Sequence, residues 1–143
     1  MKHSFDIDWL LRAKREQDPF DKFMYAYVVF NYHYTETRYK NDSGERNAAI
    51  SYGVDMCKEC KFDPFVMPVG EYVSKPIERM DPLYPGSPVK VAEGDLSSLF
   101  DAIYQVRCNF FHGNKSFNDA RDTALVEQGA NVLIALMGKV LGI

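Results

Sequence analysis

A chain of 143 residues is long enough for one domain with a real core, and 46% apolar with 26% charged residues excludes wholesale disorder. A formal charge of −3 excludes a global basic field, so any contact with nucleic acid has to come from a local patch. The start MKHSFDIDWL has no apolar signal core and the longest purely apolar run, VLIALM, is too short to span a bilayer, so the expectation is a cytoplasmic protein with no membrane segment.

Helical periodicity begins at residues 6–17, which place Trp9, Leu10 and Ala13 on one side. Pro19 then fits the first turn of a second helix, PFDKFMYAYVVFNYHYTETRY, over residues 19–39. Its apolar residues recur at Phe20, Phe23, Met24, Tyr27, Phe30 and Tyr34, and Val28, Val29 and Tyr32 widen the stripe. KNDSGE is a turn by its glycine and short polar residues, and a third helix follows over residues 46–60 through Ile50, Val54 and Cys57.

Between Lys61 and Gly94 lie six of the seven prolines, which forbids one continuous helix and predicts a long connection with a short extended piece over residues 88–91. Asp95 caps the next helix, with Leu96, Leu99, Phe100, Ile103, Val106 and Phe110 behind it and Gly113-Asn114 at its end. Asn118 or Asp119 opens a last helix with Leu125, Val132, Leu133, Leu136, Met137 and Val140 as its core stripe. The expected fold is all-α: one domain over residues 1–143, a four- to five-helix up-and-down bundle with a long Pro-rich connection between the third and the penultimate helix.

Cys57 and Cys60 form CKEC without a second ligand pair, so neither a zinc site nor any other metal or cofactor is expected, and the cysteines are expected to be free thiols. Polar chemistry concentrates instead in VRCNFFHGNK. At ~100° per residue, Arg107 falls about 20° from Leu96, inside the apolar stripe of its helix. A guanidinium there requires a carboxylate, a solvent-filled cleft or a bound anion. Phe100, Tyr104, Cys108 and Phe111 make the apolar surface wider than one packing partner needs, which points to a second copy of the chain as cover. Set against this is a plainer account: Arg107 as an internal ion-pair partner and His112 as a residue favoured by the helix C-terminal dipole.

RCNFFHG resembles the Rx4–6H motif of HEPN domains (higher eukaryotes and prokaryotes nucleotide-binding), and DPFDKFMYAYVVFNYHY is similar to the aromatic segment of several HEPN groups. The resemblance implies a metal-independent endoribonuclease of toxin or defence type, acting on RNA as a homodimer in which two motif copies line one cleft. It implies Arg107 and His112 as catalytic residues and Asn109 as the polar partner displaced by one from the usual position (here Cys108). Lys115, a basic residue close to the motif in sequence, is the expected substrate contact. An antitoxin partner is also implied, although Asn114 stands where the adenylylated HEPN group has its tyrosine. Two other functions stay open: a non-catalytic HEPN-like nucleotide- or RNA-binding or dimerisation module, and a helical protein-interaction domain.

Overall fold

The computed structural model describes residues 4–37, 39, 44–79, 86–111 and 119–143. It is all-α, with helices α1 (Ser4–Arg15), α2 (Pro19–Thr35), α3 (Glu45–Glu59), α4 (Gly70–Ser74), α5 (Leu96–Phe111) and α6 (Ala120–Leu141). The expected helix starts have physical anchors. The Asp18 side chain accepts the Asp21 N–H ahead of Pro19, and the Asp119 side chain accepts the Asp122 N–H ahead of α6. At α5 the carbonyl of Asp95 accepts from the Leu99 N–H and the Ser98 hydroxyl.

Beyond shifts of one or two residues at helix ends, two features differ from expectation. α2 stops at Thr35, four residues short of Tyr39; the Thr35 hydroxyl donates to the carbonyls of Asn31 and Tyr32, drawing on the acceptors of the last turn. The sixth helix is α4, which fits between Pro68 and Pro76 inside the long connection. It owes its place to α6: Tyr72 donates to the Leu125 carbonyl at 2.8 Å, and the Glu71 N–H donates to Gln128 at 3.0 Å. Arg121 of α6 meets the carbonyls of Lys75 and Pro76 at 2.9 and 3.2 Å. The extended piece expected near residue 89 is a single antiparallel bridge, Val89 to Ile77.

α2 is the central helix, packed on α1 and α6, while α3 pairs chiefly with α5. Phe23, Phe30, Tyr34, Phe100, Leu133 and Leu136 are among the fully buried side chains. By length and hydropathy alone α6 would pass as a membrane span, but half of its apolar window is buried inside the fold, so its apolarity is that of a core helix. α3 and α5 run antiparallel: Gly53 lies against Phe100, whereas Glu45 meets Tyr104 and Arg107. A Cβ on Gly53 would stand 2.4–2.7 Å from the Phe100 ring, so glycine is what lets these two helices approach. Phe100 is 1% exposed and stacks on Phe30, so it is core and takes no part in an outer apolar face.

Candidate functional site

The C-terminal half of α5 and the first turn of α3 form a polar seam in this apolar bundle. Arg107 is its centre. The guanidinium carbon lies 4.6 Å from the Phe111 ring centroid, 5.3 Å from Tyr27 and 5.6 Å from Tyr104. Its Nη2 stands 3.6 Å from Glu45 Oε1, an ion pair without hydrogen-bond geometry. The Nε is buried with no hydrogen-bond partner among the described residues. Arg107 therefore meets the carboxylate that its position on the apolar stripe demands, yet among the described residues most of its donor capacity is unspent. Burial pulls its pKa down, but the phenol of Tyr27 and the carboxylate of Glu45 outweigh that and hold it above the ordinary arginine value.

Glu45 is shared. Tyr34 donates to Oε1 at 2.8 Å and Tyr104 to Oε2 at 3.4 Å. Since the Tyr34 proton is committed to Glu45, the 3.0 Å contact between the Tyr27 and Tyr34 hydroxyls makes Tyr27 the donor, giving a relay Tyr27→Tyr34→Glu45. Burial above all pushes both phenol pKa values up, so the relay holds its protons through the physiological range.

A second ladder runs beside it on α5. Arg46 pairs with Asp101, donates to Gln105 Oε1 at 2.6 Å and lies 4.8 Å over the Tyr104 ring. Gln105 donates to Asn109 Oδ1 at 2.8 Å, and Asn109 donates to the Glu78 carbonyl at 2.8 Å. Asn109 is 1% exposed; its Oδ1 is engaged by Gln105 within α5, and its Nδ2 ties the long connection to that helix. It stands about 200° round the helix from Arg107. The same connection delivers Arg79, whose Nε donates to the Ser87 carbonyl and whose Nη1 reaches Gln105 at 3.5 Å. Gly44, Glu45, Arg46, Arg79, Tyr104, Gln105 and Cys108 line a pocket of about 450 Å³.

Of the residues singled out from sequence, Arg107 and Asn109 are on α5; His112 and Lys115 lie outside the described residues, as does the helix end at Gly113-Asn114. Phe111 is 57% exposed at the last described turn of α5. Arg121, a basic residue near the motif in sequence, is engaged at the end of α4 by carbonyls and by Glu71 at 3.5 Å. Sequence reasoning did not single out Glu45, Arg46 or Gln105. The available signal was the spacing Asp101, Gln105, Asn109, a polar row at steps of four through an otherwise apolar helix.

Cys57 is buried and its thiol is pushed up to about 12, chiefly by that burial, which keeps it protonated and a poor metal ligand. Among the described residues no group of three or more His, Cys, Asp or Glu could hold a metal ion. No family model, characterised protein or solved structure matches this chain. The HEPN likeness rests on the chain's own residues.

Proposed function

We propose that the chain is a HEPN-type, metal-independent endoribonuclease, with Arg107 and His112 as its catalytic pair and two copies supplying one composite cleft. The observation that carries this reading is Arg107: a guanidinium at the end of α5 among aromatic rings, with a 3.6 Å ion pair and a buried Nε that has no hydrogen-bond partner among the described residues, beside the exposed Phe111. A planar donor fork with spare N–H groups suits phosphate oxygens as charge builds during cleavage. In such a reaction the RNA 2′-hydroxyl attacks the adjacent phosphorus, histidine moves the proton, and the 5′-oxygen leaves. Phe111, Tyr104 and Cys108 would form the seam with the second copy, Lys115 would add a phosphate contact, and Asn109 acts as a positioning residue through the ladder to Arg46.

The test is RNA cleavage in EDTA with analysis of the ends. Wild type should leave 2′,3′-cyclic phosphates. His112→Ala should lose ~10²–10⁴-fold in rate and Arg107→Ala ~10²–10³-fold, with both variants folded and dimeric by light scattering. A monomeric wild type that cuts no RNA overturns the reading.

A second reading has its own observation. The set Arg107, Glu45, Tyr34 and Tyr27 is closed within one chain, as in a helical interaction domain whose arginine is only an ion-pair partner. In that case Arg107→Ala and Arg107→Lys change nothing beyond stability.

A further inference from the structure

Behind Phe111, where the end of α5 meets the start of α2, lies a pocket of about 200 Å³. Phe20, Phe23, Met24 and Phe110 line it, and the exposed Phe111 and Asp21 stand at its mouth. Sites that enclose a whole drug-sized ligand run to ~300–1,000 Å³, so this one takes a single ring system of a larger molecule. Its walls suit a flat ring. Phe20 and Phe110 meet edge to face at 5.0 Å and 84°, and Phe23 lies 6.5 Å from Phe110.

The two residues at the mouth narrow the choice of ring. Phe111 already carries the Arg107 guanidinium at 4.6 Å, so a cation placed against the same ring would face a like charge. An anion would face Asp21. That carboxyl has its pKa raised, by desolvation first and then by the charges of Asp18 and Glu16, which is the state of a carboxylate short of donors. The Asp21 backbone N–H is taken by the Asp18 cap, while its side chain makes no hydrogen bond or ion pair with a described residue. A neutral aromatic ring with N–H donors on one edge meets neither penalty and supplies what Asp21 lacks.

Among the RNA bases, guanine alone sets two N–H donors side by side, N1–H and the 2-amino group, at the spacing of two carboxylate oxygens. Adenine and cytosine place an acceptor beside their amino group, and the single N–H of uracil lies between two carbonyls, so each would turn an acceptor towards Asp21. We infer that this pocket holds the guanine base of the nucleotide whose 2′-hydroxyl attacks, with Asp21 accepting from N1–H and the 2-amino group. The inference rests on the RNA reading and adds base specificity to it. Phe111 then divides the two tasks: Arg107 on one side of the ring meets the phosphate, and the pocket on the other takes the base.

Calorimetric titration of the whole chain with the 3′-monophosphates of guanosine, inosine and adenosine tests the pocket apart from the chemistry. The guanosine nucleotide should bind one per chain. Inosine lacks the 2-amino group and should bind about tenfold more weakly, the worth of one hydrogen bond to a charged group, and adenosine about a hundredfold more weakly. Asp21→Asn, at an exposed position, should bring the three to nearly equal affinity. With RNA, wild type should cut after guanosine at least about tenfold faster than after other bases, and Asp21→Asn should cut all sites at the slower rate. Met24→Trp should fill the pocket and abolish nucleotide binding with the oligomeric state unchanged. RNA cut without base preference by wild type overturns the pocket and leaves the ribonuclease reading standing. Asp21-dependent binding of the guanosine nucleotide without RNA cleavage supports the base pocket while overturning the catalytic reading. Equal wild-type affinity for the three nucleotides, their displacement by tetramethylammonium, or a changed oligomeric state in Met24→Trp overturns the proposal, the last two naming a cation or a second copy as the occupant.

Discussion

The two halves of the α3–α5 seam make a contrast. At Gly53 the helices touch through an aromatic ring, the Phe100 side chain occupying the place of a side chain that glycine lacks. Two turns away, at Glu45 and Arg46, the same helix pair is joined by carboxylates, guanidinium groups and amides around an open pocket. The apolar half is fixed by shape, because close-packed rings have one arrangement. The polar half is fixed by pairings, several of them long, and pairings can be exchanged for those of a ligand. The proposed RNA chemistry draws on the half that is held less tightly.

The largest expected effect comes from filling the apolar half. Gly53→Ala sets a methyl group inside the Phe100 ring, and Phe100 has Phe30 stacked behind it at 5.8 Å. Overpacking of this kind costs ~1–3 kcal/mol, against a gain of up to ~1 kcal/mol from replacing a mid-helix glycine. A net loss of about 2 kcal/mol should appear as a fall of several degrees in Tm. Phe100→Leu added to Gly53→Ala should recover part of it; an unchanged Tm for Gly53→Ala alone would show that the helices do not approach this closely.

The polar half should respond less. Arg107→Ala removes three ring contacts and a long ion pair, but it does not strand Glu45, which keeps the Tyr34 hydroxyl and is 40% exposed on its side chain. Discounted for that exposure, the pair itself is worth under ~1 kcal/mol, and the ring contacts add about as much. Urea midpoints for Arg107→Ala, Glu45→Gln and the double variant should give a coupling below about 1 kcal/mol. A coupling of several kcal/mol would make the pair a structural keystone and remove the spare capacity on which the RNA reading depends.

How far the chain disclosed this beforehand follows the same division. The apolar packing was legible: Phe20, Phe23, Phe30 and the α6 stripe repeat at helical spacing, and Pro19 and Asp119 announce their helices. Arg107 was legible as an anomaly, since a guanidinium at a stripe position must have a partner. That partner was not. Glu45 lies 62 positions away at a helix start and carries no periodic signal of its own. α4 was hidden for a related reason, being five residues held by Arg121, Gln128 and Leu125 of another helix. Local pattern records which face is buried; it does not record which distant residue completes a polar pairing.

The finest test uses two thiols that sample the two halves. Cys57 lies one turn beyond Gly53 on the buried side of α3, and Cys108 lines the polar pocket. Burial raises the Cys57 pKa from 9.0 to about 12 in the folded chain, so the folded state holds this proton more tightly than the unfolded one. The sign follows from that: its contribution to stability is complete below about pH 9 and is lost as pH rises from there towards 12. Plotting the stability of wild type minus Cys57→Ala against pH isolates the group from the buried tyrosines, which act above pH 10 in both proteins. The difference should be flat from pH 7 to about 9 and then turn against wild type. At pH 8 a thiol reagent should modify Cys108 quickly and Cys57 only at the rate of unfolding. Equal rates for the two would mean that the apolar half opens as readily as the polar one, and the contrast between them would fall.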